Sequence, residues 1–173
     1  YDAATAFNFE VEVPVADRYS VLVENVFPWW ETGYRYCFQV WGTGPELRYW
    51  FRPWNPSGDG KLAGLFAGVY AMTARYDLQF DTKIDYQGEF WSAGVTFGWS
   101  KRICRLFGKP SNTRLELSLS AGYLQTDFRH YLPTDSYDML IRDKYNTGVV
   151  SYVGPTKAKI SFVLPFYINT RKK

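Results

Sequence analysis

The chain has 173 residues, a formal charge of +3 and an aromatic content of 20%, with 14 Tyr, 13 Phe and 7 Trp. That aromatic load excludes a disordered chain. The basic residues form no stripe apart from the terminal "TRKK", which argues against a nucleic-acid partner. No apolar run reaches the roughly 18 residues of a membrane-spanning helix.

Taken in chain order, the apolar residues repeat with a period of two, the signature of half-buried strands. "FEVEV" alternates Phe9, Val11 and Val13 with Glu10 and Glu12. "YSVLVENVF" sets Val21 and Val23 against Ser20, Leu22 and Glu24, and "PELRYWF" sets Leu47, Tyr49 and Phe51 against Glu46, Arg48 and Trp50. "GLFAGVYAM" follows, then "WSAGVTFGWS" with Val95, Phe97 and Trp99 against Gly94, Thr96, Gly98 and Ser100. "LELSLSAGY" places Leu115, Leu117 and Leu119 opposite Glu116, Ser118 and Ser120. The last strand, "GPTKAKISFVLPFYI", sets Lys157, Lys159 and Ser161 against Ala158, Ile160, Phe162, Leu164 and Phe166. These seven strands are longer than the about 5–6 residues of ordinary ones and reach the about 9–11 needed to cross a bilayer.

The connections alternate in length. "PVADR", "RPWNPSGDGK" and "CRLFGKPSN" read as turns rich in Pro, Gly, Asn and Asp. "PWWETGYRY", "ARYDLQFDTKIDYQGE" and "RHYLPTDSYDMLIRDKYNTG" read as longer, polar loops. Short turns on one rim and long loops on the other are a property of outer-membrane barrels. In such a barrel the apolar face meets lipid and the polar face fills the lumen, the reverse of a soluble barrel. Two features favour that inversion. The polar face is rich in small residues suited to a tight interior. Aromatics gather near strand ends, at Trp29, Trp30, Tyr49, Trp50, Trp91, Trp99, Tyr123, Phe166 and Tyr167, as in interfacial girdles.

The predicted fold is therefore all-β: a transmembrane, antiparallel, up-and-down β-barrel occupying residues 1–168, followed by a basic periplasmic tail at 169–173. Short turns on the periplasmic side make both the first and last strands run inward, which is an odd number of strands. Bacterial single-chain barrels have even numbers, so an eighth strand is expected upstream of Tyr1. Eight strands enclose a space that side chains just fill. Glu10, Glu12, Glu24, Glu46, Arg48, Glu116, Lys157 and Lys159 form the expected lumen network, since buried charges are tolerated only when paired. A plugged lumen is the preferred reading and a cation pathway lined by carboxylates the alternative. Leu115, Leu117, Leu119, Val95, Phe97, Ile160, Phe162 and Leu164 are the expected lipid-facing set. Trp29, Trp30, Tyr49, Trp99 and Phe166 form the expected aromatic girdle.

"YDA", "VEV" followed by "YSV", "PWW", "PELRYWF", "AGVTFGWS", "RLELSLSAGY" and "VGPTKAKIS" together resemble, in this order, a small outer-membrane β-barrel family of unknown function typical of Bacteroidota. The resemblance implies an integral protein of the bacterial outer membrane with one further strand before "YDA". It also implies an accessory subunit of a larger barrel, including the barrel-assembly machine of that phylum. The long 126–148 segment departs from the family pattern, as does the absence of its usual cysteines.

The expected function is that of a non-enzymatic subunit, without cofactor or metal. Its expected partners are the lipid bilayer and lipopolysaccharide, a larger outer-membrane barrel such as the assembly insertase, and surface lipoproteins. Tyr137, Met139, Leu140 and Ile141 offer an apolar docking segment in the last long loop. Two alternatives remain. One is an enzyme acting on outer-membrane lipid, with the single histidine, His130, as base near Asp135 and Ser136. The other is a soluble lipocalin-like barrel holding an apolar ligand. His130 reads more simply as a solvated loop side chain. Asp77, Asp81, Asp85, Asp135, Asp138 and Asp143 lack calcium-loop spacing and read as solvated faces. Cys37 and Cys104 lack metal spacing and read as unpaired apolar residues, with a disulfide as the alternative.

Overall fold

A computed structural model describes residues 7–32, 36–52, 62–80, 84–103, 105–106, 109–110, 113–133 and 140–166. Its strands are β1 (Phe7–Pro14), β2 (Tyr19–Phe27), β3 (Trp29–Thr32), β4 (Tyr36–Trp50), β5 (Gly64–Phe80), β6 (Asp85–Arg102), β7 (Arg105–Leu106), β8 (Lys109–Pro110), β9 (Arg114–Pro133) and β10 (Leu140–Val163). There is no helix among the described residues.

Eight strands form one antiparallel up-and-down sheet in the order β1-β2-β4-β5-β6-β9-β10, with β3 also on β4. Pro28 explains the break between β2 and β3, because it lacks the amide that would continue the ladder. Its carbonyl still accepts from the Val40 amide, so both pieces stay on β4. The short β7–β8 ribbon lies within the "CRLFGKPSN" connection. No ladder joins β1 to β10 among the described residues; the sheet is open there.

The strands run further than their alternation suggests. β5 continues to Phe80 and β6 begins at Asp85, so most of the expected "ARYDLQFDTKIDYQGE" loop is hairpin. β9 reaches Pro133 and β10 starts at Leu140, which turns much of the last expected loop into strand. Cross-strand pairing, such as Tyr76 with Gly88 and Phe128 with Gly148, extends the ladders through these polar segments. Leu140 and Ile141 lie at the start of β10 and are exposed. Tyr137 and Met139 lie outside the described residues, as do Asp81, Cys104, Asp135, Ser136, Asp138, Tyr167 and the tail 169–173.

The sheet curls strongly. Tyr70 on β5 reaches Thr156 on β10 by a hydroxyl–hydroxyl hydrogen bond, across β6 and β9. Glycines permit this curl at a row where Tyr70 pairs with Gly94, Gly94 with Gly122 and Gly122 with Gly154. A Cβ on Gly94 would stand 2.2 Å from the Ala121 carbonyl oxygen and 2.6 Å from the Gly122 Cα. Backbone contacts this short leave no room for a side chain. β10 also carries a register shift between Pro155 and Lys157, which swings the strand and turns both lysines inward.

Gly94→Val is expected to lower stability by about 1–3 kcal/mol through overpacking. Ala71→Val, on the exposed face, should change it by less than about 0.5 kcal/mol. Urea unfolding followed by tryptophan fluorescence checks the difference.

Candidate functional site

Strand alternation sends one set of side chains to the concave face and the other outward. The concave set is buried and charged. Glu24, Glu46, Arg48 and Glu116 are at most 4% exposed, and Leu22, Trp50 and Phe66 pack among them at 0–2%. The curl brings together all eight residues of the expected network, from β1, β2, β4, β9 and β10.

Arg48 lies at its centre. Its Nε donates to Glu46 Oε1 at 2.7 Å. Its Nη1 stands 2.9 Å from Glu116 Oε1 and 3.4 Å from Glu12 Oε1, as ion pairs whose angles are not those of hydrogen bonds. Its guanidinium carbon sits 4.4 Å from the centre of the Phe66 ring, a cation–π contact. Phe66 in turn fills the space over Gly98, where a Cβ would fall 2.4 Å from the ring.

The lysines of β10 close the network across the open side. Lys157 Nζ donates to Glu24 Oε2 at 2.8 Å and lies 4.3 Å from the Tyr70 ring centre. Lys159 Nζ stands 2.8 Å from Glu10 Oε1 and 3.8 Å from Glu24 Oε1. Hydroxyls complete it: Ser20 donates to Glu12 at 2.6 Å and accepts from Trp50 Nε1 at 2.8 Å, and Thr96 bonds Ser120 at 2.9 Å. Trp50, the last residue of β4, is thus an interior residue, on the face its phase with Glu46 and Arg48 predicts and not in an outer girdle. Five carboxylates thus meet three cations on one buried face.

The convex face is apolar over the same levels. Val95, Phe97, Leu117, Leu119, Ile160, Phe162 and Leu164 are exposed and Leu115 is half-buried. Near the turn end, Tyr19, Tyr49, Phe51 and Phe97 form a chain of ring contacts 5.3–6.2 Å apart, and Arg18 donates to the Tyr49 hydroxyl. Trp99, Trp29, Trp30 and Phe166 are also exposed. Trp91 and Tyr123, 5.2 Å apart, lie inside long strands rather than at their ends, because β6 and β9 are longer than expected.

Beyond Trp91 and Tyr123 the polarity of the two faces exchanges. The convex positions become Arg75, Asp77, Gln87, Glu89, Asp127 and Arg129, with Arg75 Nε 3.4 Å from Glu89 Oε1. The concave positions become Phe38, Tyr76, Leu78, Tyr86, Phe90, Leu124 and Phe128. Adjacent apolar pairs, Phe90–Trp91 and Tyr123–Leu124, are the sequence signal of this exchange; alternation read in a single phase passes over them.

His130 and several acids sit differently from expectation. His130 is on β9, 8% exposed, rather than in a solvated loop. The longer strands bury it beside the Tyr86 ring at 5.1 Å, with Nδ1 3.5 Å from Asp143 Oδ2. Its expected neighbours in the enzyme alternative, Asp135 and Ser136, lie outside the described residues. Asp77, Asp85 and Asp143 are strand residues. Asp85 is buried at the first position of β6, correcting its reading as a solvated acid. Burial, helped by the neighbouring Asp77, pushes its carboxyl up to about 7, against a partial offset from Gln87. Gln87 Nε2 donates to Asp77 Oδ2 at 3.0 Å and Asp85 Oδ2 at 3.4 Å. Cys37 is half-buried on β4. No group of three or more His, Cys, Asp or Glu side chains among the described residues is placed to hold a metal ion.

These features define an all-β, up-and-down antiparallel sheet with a charged concave face and an apolar convex one. The chain belongs to the family described as Protein of unknown function (DUF3575), whose model matches residues 1–166. No curated protein and no solved structure matches it.

Arg48→Met is expected to cost about 3–5 kcal/mol, because it strands the carboxylates of Glu12, Glu46 and Glu116. Adding Glu116→Gln should restore part of the loss, measured by urea unfolding of the single and double variants. Asp85 carries its raised value only in the folded protein. Its contribution is therefore complete below the unfolded value near 4, declines as pH rises, and is lost above about 7. Asp85→Asn is expected to slow amide exchange of residues 77–87 at least about tenfold at alkaline pH and to leave it little changed in acid.

Proposed function

We propose that this chain is an integral β-barrel of the bacterial outer membrane with a plugged lumen, acting as a non-enzymatic accessory subunit of a larger outer-membrane complex. The observation that carries the reading is the distribution of polarity. Val69, Val95, Leu119, Ile160 and Phe162 are 56–71% exposed on the convex face, opposite a buried charge network. In water such a face is a large unprotected apolar surface; in lipid it is the required one.

The free edges of β1 and β10 support closure by one further strand. Open edges do not persist in lipid, where each unpaired backbone group costs several kcal/mol. Lys159 and Glu10 reach toward each other from those edges. Two such side chains span more than one sheet spacing of about 4.8 Å, which leaves room for a strand between. A sealed interior gives no transport path, so the convex wall and the outer hairpins are the surfaces left for a partner. The sequence resemblance points to the barrel-assembly machinery as the complex, with lipopolysaccharide and surface lipoproteins as its neighbours.

Ile160→Lys separates this reading from a soluble sheet. At a bilayer midplane it costs about 2–4 kcal/mol, whereas at a wet surface it changes stability by less than about 0.5 kcal/mol. Unfolding titrations in lipid vesicles are expected to give the larger value. Extraction from native membranes in mild detergent is expected to bring a larger barrel along. Repeated isolation as a lone monomer overturns the accessory role, and recovery from the soluble fraction overturns the membrane one.

A further inference from the structure

The exchange of polarity beyond Trp91 and Tyr123 leaves an apolar hollow whose occupant the charge network does not supply. It is a cavity of about 550 Å³ on the concave side of the long hairpins, open to the outside. Rings from four strands line it: Phe38 on β4, Tyr76 on β5, Tyr86 and Phe90 on β6, and Phe128 on β9, with Leu124 between them. That volume lies within the roughly 300–1,000 Å³ of small-molecule sites.

Three observations select the chemistry of the guest. First, two of the polar groups at the wall are already satisfied. The Tyr76 hydroxyl bonds the Thr126 hydroxyl at 2.8 Å, and Thr126 also bonds the Glu89 carbonyl at 3.1 Å. A guest with hydrogen-bonding needs would find those two partners occupied. Second, the convex side of these same strands carries Arg75, Asp77, Glu89, Asp127 and Arg129, so the segment stands in water and its apolar side has no lipid of its own. Third, the network around Arg48 fills the concave face nearer the turns, so the hollow is a cup bounded on that side by paired charges.

We propose that this cup binds a single hydrocarbon chain, delivered either as a free fatty acid or as the acyl tail of a membrane lipid. The wall of rings and branched side chains removes the chain from water, a gain of about 25 cal/mol per Å² buried. The polar head stays at the open side, and Asn146 is the polar side chain of the lining left to meet it. The site rests on the cavity and not on the membrane reading, and it would exist equally in a soluble sheet.

The test uses the full-length protein in lipid nanodiscs with two probes: a diazirine-bearing fatty acid, and a phospholipid carrying the same diazirine in its acyl chain. After irradiation, labelled positions are mapped by peptide mass spectrometry. Labels on Tyr76, Phe90, Leu124 or Phe128, competed away by excess oleate, are expected with at least one probe, and the probe that labels identifies the source. Val150→Arg and Phe38→Arg alter half-exposed positions on opposite walls. Each is expected to cut concave labelling about tenfold or more, since it places a charge in the cup. Labels on Val95 and Leu119 report the bilayer separately; their absence would count against the membrane reading alone. Labelling confined to the convex face, or concave labelling indifferent to oleate and to both arginines, overturns the proposal.

Discussion

Everything in this structure depends on keeping Arg48 neutralised while it is wholly buried. A guanidinium taken out of water is tolerated only with close counter-charges. Glu46 comes from its own strand, but Glu12 and Glu116 come from β1 and β9, far apart in the sheet order. Those carboxylates reach one cation only if the sheet is strongly bent. The curl, the glycine row that permits it and the inward swing of the β10 lysines therefore serve one electrostatic requirement.

The same requirement shapes the faces. Residues that neutralise one another fill the concave side, so the convex side is where the remaining apolar residues go. A soluble barrel arranges its sides in the opposite way. Here the interior near the turns is polar and the exterior apolar, and further along the strands the order returns to polar outside and apolar inside. Along one set of strands the convex face is thus apolar around Val95, Leu119 and Ile160, and charged around Arg75, Glu89 and Asp127. Strands as long as β9 and β10, with 20 and 24 residues, are long enough to carry both kinds of face in succession.

Much of the site is legible in the sequence. Glu10, Glu12, Glu24, Glu46, Arg48, Glu116, Lys157 and Lys159 share one phase of a period-two pattern, and a strand sends alternate side chains to opposite faces. One phase therefore shares one face, whatever the path of the chain. His130, Asp85 and the outer hairpins are less legible in the sequence for a related reason. Polar residues at "ARYDLQFDTKIDYQGE" suggest loop, but a strand wet on its convex side is polar there too. Its concave apolar residues, Tyr76, Leu78, Tyr86 and Phe90, fall in the opposite phase to those of the first half, so the period is kept while the phase is lost.

By itself, the sequence determined the seven main strands (though not their lengths), their antiparallel order and the sorting of charged from apolar side chains, because period and turn chemistry are local properties of the chain. Tertiary structure alone decided which carboxylate meets which cation, because those distances depend on how far the sheet bends. The same bend turned a change of phase, barely visible along the chain, into an apolar hollow beside a buried charge network.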